Sequence, residues 1–153
     1  MNDLTDEFRH RTTLEVRFRD IDAFRHVNNA AFFTYIEQAR IRYLIDTLHL
    51  EAVERLPLIL AAVQIDFRSP ILFGQEVEIG TRVDWIGNTS FSVSHVLRAA
   101  NRLAAEARTV LVSYDYATER PIRVPDDWRA AFANWEGRNL ARPERTEPAA
   151  MAR

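Results

Sequence analysis

The amino-acid sequence predicts an α+β domain in which one long helix lies against a face of an antiparallel sheet. Apolar residues follow a helical period from residue 30 to about residue 48, which predicts a helix of that length. Later segments alternate apolar and polar residues with a period of two, as half-buried strands do. Turn signals such as Gly87-Asn88 join these segments, and this pattern is typical of consecutive antiparallel strands.

Five strands and two helices are predicted, in the order strand, long helix, four strands, short helix. Residues 12–19 alternate and form the first strand. Asn28 or Asn29 can cap the long helix, because a side-chain amide oxygen accepts a hydrogen bond from a first-turn N–H. Residues 58–67 are rich in Leu, Ile, Ala and Val, which predicts a buried strand. The remaining strands and the short helix are predicted at residues 75–86, 91–99, 103–116 and 126–135.

The length of 153 residues predicts a single domain. We expect a flexible N-terminus over residues 1–11, the folded domain over residues 12–137 and a disordered tail over residues 138–153, because both ends are polar or charged. The N-terminus lacks the pattern of a signal peptide, and no apolar run reaches the length of a membrane span. A cytoplasmic protein without a membrane partner is therefore expected.

The composition argues against several classes of function. The chain has no cysteine, which excludes disulfides, thiolate zinc sites and a cysteine nucleophile. The 20 basic and 22 acidic residues give a net charge of −2, so nucleic acid is not an expected partner. The four histidines are scattered without ligand spacing, and neither a metal site nor another cofactor is predicted. His95 stands on an apolar strand face and is predicted to lie in the core or in an interface.

The loop of residues 20–29 carries the best candidates for chemistry. It contains Asp20 and Asp22 and leads directly into the long helix. A carboxylate is a candidate catalytic group, and the helix start beside it can stabilise an anion, since its free N–H groups and the positive end of the helix dipole favour negative charge. From the residues alone, a structural role in the loop is favoured for both aspartates.

Two adjoining segments carry a resemblance to a known family. They read Val16-Arg17-Phe18-Arg19-Asp20-Ile21-Asp22-Ala23-Phe24-Arg25-His26-Val27-Asn28-Asn29 and Phe33-Thr34-Tyr35-Ile36-Glu37-Gln38-Ala39-Arg40. This sequence resembles the 4-hydroxybenzoyl-CoA thioesterase-like hotdog family, which often shows a strand, Asp-x-Asp, Gly-His-Val-Asn-Asn, and a helix with Glu-x-Ala-Arg. The glycine of that family pattern is replaced here by Arg25.

The resemblance implies a hotdog fold, in which a curved antiparallel five-stranded sheet wraps around the long central helix. It also implies a homodimer whose two sheets join edge to edge, often paired again into a homotetramer. The usual substrates of the family are acyl-CoA thioesters, bound near the subunit boundary. Asp22 matches the catalytic carboxylate of the family.

These points predict an acyl-CoA thioesterase. Asp22 is expected to act as a nucleophile or as a general base, while the backbone N–H at or near Asn29 stabilises the carbonyl oxygen. His26, Asn28 and Arg25 are the expected substrate-binding residues. Two alternatives remain open at this point: a non-catalytic hotdog protein that binds acyl-CoA or an acyl carrier, and an acyl-thioester hydratase or dehydratase.

Overall fold

The fold is a long helix packed on an antiparallel sheet, as the sequence predicts. The computed structural model describes residues 7–144, and within that range the predicted elements occur in the predicted order, with one further strand of two residues. The elements are β1 (His10–Glu15), α1 (Asn29–Leu48), β2 (Leu58–Phe67), β3 (Glu76–Ile86), β4 (Ser90–Ala99), β5 (Arg102–Asp115), β6 (Arg120–Pro121) and α2 (Asp126–Glu136). The strands lie in the order β1-β3-β4-β5-β2 across the sheet, and β6 pairs with the end of β5.

The first strand ends earlier than predicted. The sequence predicts a strand over residues 12–19, but β1 ends at Glu15 and a 3-10 turn occupies Phe18–Asp20. The Asp20 carboxylate accepts hydrogen bonds from the backbone N–H of Arg17 at 3.0 Å and from its guanidinium at 2.9 Å. This local side-chain bonding draws the chain into a turn and outweighs the alternating pattern.

The buried side of α1 is divided into three layers. Ile36 and other apolar residues of α1 pack against the sheet in a first layer. Tyr43 and other apolar residues, one to two helical turns further along α1, pack in a second layer. A polar layer separates them. Its members are all buried: Arg40 of α1, Thr81 of β3, His95 of β4 and Thr109 of β5. His95 Nδ1 lies 3.2 Å from Thr81 Oγ1, so of the two positions that the sequence leaves open, core or interface, His95 occupies the core.

Strand β2 differs from the prediction in its burial. A buried strand is predicted over residues 58–67, and β2 occupies that range, but it lies at the edge of the sheet and pairs with β5 on one side. Leu60 and Phe67 are each 44% exposed. An apolar composition does not reveal whether a strand has neighbours on both sides, and for this reason the free edge was not predictable from the sequence.

Both ends of the described range pack on the domain. Phe8 is buried against Gly80 of β3, where a β-carbon would come within 2.8 Å of the Phe8 side chain. Leu140 is also buried, and its carbonyl oxygen accepts from the N–H of Ile86 at 2.7 Å. Single large apolar residues therefore extend packed structure into the ranges 1–11 and 138–153, which were expected to be flexible or disordered. The rest of those two expectations, at residues 1–6 and 145–153, lies outside the described residues.

No helix within residues 7–144 is both long enough and apolar enough to cross a bilayer.

Candidate active site

A closed loop joins the 3-10 turn to α1. The N–H of Asp22 donates to the carbonyl of His26 at 3.2 Å, and the N–H of Asn28 donates to the carbonyl of Asp20 at 2.8 Å. These two hydrogen bonds tie the two sides of the loop together. They bring Asp22, His26 and Asn28, three of the residues predicted for the site, to the N-terminal end of α1.

The Asp22 carboxylate is only partly engaged by its own loop. Its Oδ1 accepts a hydrogen bond from the N–H of Phe24 at 2.8 Å, whereas its Oδ2 has no hydrogen-bond partner within residues 7–144. The carbonyl oxygen of Asp22 accepts from the N–H of Arg25 at 3.0 Å, and the side chain is partly exposed. The backbone therefore positions one carboxylate oxygen, and the other is available to a substrate or a water molecule.

The first turn of α1 contains a free hydrogen-bond donor. Asn28, one of the two caps that the sequence allows, is the N-cap: its Oδ1 accepts from the N–H of Ala30 at 2.8 Å, and its carbonyl oxygen accepts from the N–H of Ala31 at 2.8 Å. Asn29 is the first residue of α1, and its N–H has no acceptor among the residues that the structure describes. This donor lies at the positive end of the helix dipole.

The carboxylate of the neighbouring Asp20 is hydrogen-bonded to other residues of the protein. Its buried carboxylate accepts from Arg17 and from the hydroxyl of Tyr35 at 2.7 Å. Burial alone would raise the pKa of Asp20, but the hydrogen bonds from Arg17 and Tyr35 outweigh burial and hold this pKa below its usual range. Burial and the hydrogen bond to Asp20 raise the pKa of Tyr35. Asp20 therefore ties the loop to α1, in the structural role that the residues alone favour.

Arg25 adopts the backbone conformation that favours glycine. Its φ is 67°, in the left-handed region where a β-carbon is costly. Glycine adopts this conformation without steric cost, so arginine occupies here a position that would suit the glycine of the family pattern. The Arg25 side chain is exposed and forms no ion pair with any residue in the described part of the chain. The guanidinium is thus available at the edge of the loop.

Exposed aromatic residues lie next to the same loop. Phe18 is 82% exposed and Phe73 is 59% exposed, and their rings meet edge to face with centroids 5.9 Å apart. The segment of Phe73 is joined to the loop because the N–H of Val27 donates to the carbonyl of Ile71 at 2.8 Å. A single chain leaves this apolar surface uncovered.

A groove of about 130 Å³ runs between α1 and β2. Its lining combines apolar and polar side chains: Phe33, Thr34, Ile36, Glu37 and Arg40 from α1, Leu60 and Val63 from β2, and Thr109 from β5. Arg40 is only 5% exposed, and burial lowers the pKa of its guanidinium. Glu37 and Arg40 have the spacing of an ordinary surface ion pair on a helix, so the sequence does not reveal that the cation is buried.

The histidine of the polar layer is buried and neutral. Burial, and next the charge of Arg40, lower the pKa of His95 to about 3, so its ring is neutral near pH 7. Within residues 7–144, no three His, Asp or Glu side chains are grouped in a way that could hold a metal ion.

Comparisons with known proteins connect this fold and site to a family. The family model described as the Thioesterase-like superfamily matches residues 16–132. The long-chain acyl-CoA thioesterase FadM of Escherichia coli (strain K12) is 23% identical over 122 residues, which cover 77% of this chain and 92% of FadM.

Solved structures similar to this chain include further thioesterases. A thioesterase from Thermus thermophilus, complexed with coenzyme A and Zn, is 36% identical with a TM-score of 0.81, and the match covers 88% of this chain and 99% of that chain. Slr0204, a 1,4-dihydroxy-2-naphthoyl-CoA thioesterase from Synechocystis, shares the fold at 20% identity, with a TM-score of 0.74 and coverage of 82% and 96%.

The family match begins just after β1 and ends within α2, so it contains the whole loop, α1 and most of the sheet. The likeness to the Thermus thermophilus thioesterase confirms the predicted fold. The chain belongs to the thioesterase-like superfamily and is a thioester hydrolase with the hotdog fold.

Proposed function

We propose that the protein hydrolyses acyl-CoA thioesters to a free acid and CoA, with Asp22 and the N–H of Asn29 acting at the reacting carbonyl. The observation that carries this proposal is the free N–H at the start of α1, in the same closed loop region as a carboxylate with an unpartnered oxygen. Thioester hydrolysis needs a group that delivers the attacking oxygen and a donor that stabilises the carbonyl oxygen as negative charge builds on it. The similarity to FadM supports acyl-CoA as the substrate class.

In the general-base route, Oδ2 of Asp22 takes a proton from a water molecule whose oxygen attacks the carbonyl carbon. The resulting oxyanion accepts a hydrogen bond from the N–H of Asn29, and the dipole of α1 adds to this stabilisation. Collapse of the intermediate breaks the carbon–sulfur bond, and the CoA thiolate leaves and takes the proton from Asp22. In the nucleophilic route, the Asp22 oxygen attacks the carbonyl itself, the thiolate leaves, and water hydrolyses the mixed anhydride.

The substrate-binding part of the proposal concerns Arg25, His26 and Asn28. Arg25 is exposed and without an ion pair in the described range, and a guanidinium pairs well with phosphate oxygens, so we assign it to the CoA phosphates. His26 and Asn28 lie in the same loop and are assigned to the part of the substrate near the thioester. The acyl group would enter the groove between α1 and β2. A homodimer joined along β2 would cover this region, which is open in a single chain.

Replacing Asn29 by proline tests the proposed oxyanion donor. Proline lacks the N–H and is tolerated at the first position of a helix. The preceding residue, Asn28, has φ −59° and ψ 138°, a conformation that a following proline accepts. We expect Asn29→Pro to lower kcat/KM by about 10²–10³-fold, the usual effect of losing one oxyanion donor.

The matched control is Asn29→Ala, which keeps the N–H and should retain most of the activity. Equal losses in Asn29→Pro and Asn29→Ala, or no loss in either variant, would remove this N–H from the mechanism. Far-UV circular dichroism of both variants checks that α1 still forms.

A panel of aliphatic and aryl acyl-CoA esters tests the reaction class. Release of the CoA thiol is followed with a thiol reagent, and the same preparation is assayed for hydration of enoyl-CoA. We expect thiol release with at least one ester and no hydration. Hydration without thiol release would identify a hydratase, and binding of the esters without turnover would identify a non-catalytic acyl-CoA-binding protein.

A further inference from the structure

The guanidinium of Arg40 is buried, yet it donates no hydrogen bond to any residue in the described part of the chain. The acidic group that faces it is Glu37, whose Oε2 lies 3.9 Å from Nη2, which is longer than a hydrogen bond. A buried cation needs acceptors, because the water that it loses on burial has to be replaced. Arg40 therefore has unused donors.

The core behind Arg40 supplies no anion. His95 is neutral, since burial lowers its pKa to about 3, and its Nε2 is itself buried without a partner within residues 7–144. The hydroxyl of Thr109 donates to the carbonyl of Val93 at 3.3 Å. The acceptor for Arg40 must then come from the other side, which is the groove between α1 and β2 that Arg40 lines.

This groove has apolar walls and one strongly polar position. Phe33 and Leu60 are large, apolar and well exposed on the walls, whereas Glu37 and Arg40 are its two charged residues. An alkyl chain that covers the walls is favourable, because it removes apolar surface from water. An alkyl end placed over Arg40 is unfavourable, because it displaces water from the cation and offers no acceptor. A chain that fills the groove is therefore held best if it carries a polar group at Arg40.

The charges of Glu37 and Arg40 select the kind of polar group. A carboxylate would be attracted by Arg40 but repelled by the carboxylate of Glu37. A ketone would accept from Arg40 but would offer Glu37 no donor. A hydroxyl accepts from the guanidinium and donates to the carboxylate, and two atoms 3.9 Å apart can both contact one oxygen at hydrogen-bond distance.

The position of Arg40 on α1 sets the distance of this hydroxyl from the thioester. Arg40 comes 11 residues after Asn29, the residue of the proposed oxyanion donor, which is about 16 Å along the helix axis. Because side chains of a helix lean toward its N-terminus, the guanidinium lies about 10–16 Å from that donor. An extended chain advances about 1.2 Å per bond, so about 8–13 bonds separate the carbonyl from the hydroxyl. A single hydroxylated ring on the carbonyl is too short, and a chain of medium length fits.

We propose that Arg40 and Glu37 form a specificity site for medium-chain acyl groups with a hydroxyl at the distal end, which accepts from Arg40 and donates to Glu37. The inference deepens the proposed function and rests on it in one respect, namely that the acyl group enters the groove between α1 and β2. It names the substrate class of that site as ω-hydroxyacyl thioesters.

Esters of equal chain length test this preference. Wild type is assayed with decanoyl-CoA, with 10-hydroxydecanoyl-CoA and with the mono-CoA ester of decanedioic acid. We expect kcat/KM for the hydroxy ester to exceed that for decanoyl-CoA by about 10- to 100-fold, the usual strength of a hydrogen bond to a charged group. We expect no such gain for the dicarboxylic ester. A hydroxy ester that is hydrolysed no better than decanoyl-CoA would overturn the proposal.

Arg40→Met tests the donor with a side chain of similar length. We expect it to lower the preference for the hydroxy ester over decanoyl-CoA at least about tenfold, since the donor to the hydroxyl is lost. Arg40→Lys keeps a charged donor and should lose less of this preference. The matched control, Arg42→Met at an exposed position of the same helix, should keep the wild-type preference. A wild-type preference in Arg40→Met would show that Arg40 does not contact the acyl group.

Glu37→Gln tests the acceptor at an exposed side chain. Glutamine can still accept from the hydroxyl, but it no longer repels a carboxylate. We expect kcat/KM for the dicarboxylic ester, relative to decanoyl-CoA, to rise by about twofold to fivefold, the effect of one exposed charge. An unchanged ratio would overturn the contact of the distal group with Glu37.

Arg40 is buried, so circular dichroism checks the fold of its variants. If they do not fold, the preference of wild type and the response of Glu37→Gln carry the test. If wild type releases thiol from no ester, the proposed function fails, and calorimetry with the same esters then decides the specificity site. A Kd for 10-hydroxydecanoyl-CoA about tenfold below that for decanoyl-CoA would support the site, and equal values would overturn it.

Discussion

Asp20 and Asp22 lie two residues apart in one loop, yet their carboxylates have opposite surroundings. Asp20 is buried, and its carboxylate accepts from Arg17 and Tyr35. Asp22 is partly exposed and accepts one hydrogen bond from its own loop, through Oδ1. The comparison teaches that spacing in the sequence does not decide which carboxylate is available for chemistry. A carboxylate is available only where the fold leaves one of its oxygens without a hydrogen-bond donor.

The largest expected effect on stability is at Asp20. Asp20→Asn removes a charged acceptor and turns an amide N–H₂ toward the donors of Arg17 or Tyr35. We expect a loss of about 2–3 kcal/mol in the free energy of unfolding, the upper part of the range for hydrogen bonds to a charged group. Urea denaturation followed by tryptophan fluorescence measures it. A loss below about 0.5 kcal/mol, as for an ordinary surface substitution, would break the distinction between the two aspartates.

The contribution of the Asp20 carboxylate to the free energy of unfolding should depend on pH. The pKa of Asp20 is lowered in the folded state, so its stabilisation is complete above the pKa of the unfolded chain and is lost as pH falls toward the lower folded-state value. The difference in unfolding free energy between wild type and Asp20→Asn should therefore shrink as pH is lowered below about 4. Urea denaturation at several pH values between about 3 and 7 checks this sign. A difference that grows as the solution becomes more acidic would contradict it.

Tyr35→Phe tests a single donor in the same network. It removes the hydroxyl that donates to Asp20 at 2.7 Å and leaves Arg17 in place. We expect a loss of about 1.5 kcal/mol in unfolding free energy, the lower end of the range for a hydrogen bond to a charged group. Tyr116→Phe is the matched control, since that hydroxyl donates to the carbonyl of Leu58 at an exposed site. If Tyr35→Phe and Tyr116→Phe lowered the unfolding free energy by the same small amount, the hydrogen bond from Tyr35 to Asp20 would be unimportant for stability.

The smallest expected effect is at Arg25. Its φ of 67° is easier for glycine, but glycine also makes the unfolded chain more flexible. These effects partly cancel, and we expect Arg25→Gly to raise the unfolding free energy by up to about 0.5 kcal/mol. Arg19→Gly, at an exposed position with negative φ, should instead lower it by about 0.5–1 kcal/mol. Equal destabilisation of both variants would show that the left-handed conformation carries no strain.

Much of the fold was predictable because its signals are local. The period of α1, the cap at Asn28 and the hairpin at Gly87-Asn88 each depend on a few adjacent residues, and all three occur in the structure. The strand pattern likewise placed His95 in the core or in an interface, and the structure shows the core position.

The differences from prediction come from contacts that the sequence does not display. Strand β1 ends early because the Arg17–Asp20 bond replaces ladder pairing, and the edge position of β2 depends on the order of strands across the sheet. The buried state of Arg40 depends on the packing of α1 over the polar layer. For the site, the sequence predicts that Asp22, His26, Asn28 and Asn29 belong to one loop and helix start. Which oxygen and which N–H are free emerges only from the hydrogen bonds.

The most direct test of the contrast between the two aspartates is the activity of Asp22→Asn on the acyl-CoA ester that wild type hydrolyses best. The account predicts a fall in kcat/KM of about 10²–10⁴-fold, with an unfolding free energy within about 0.5 kcal/mol of wild type. Asp66→Asn, at an exposed position on β2, is the matched control and should keep full activity. Near-full activity in a folded Asp22→Asn protein would contradict the account, because the carboxylate with the free oxygen would then have no part in the reaction.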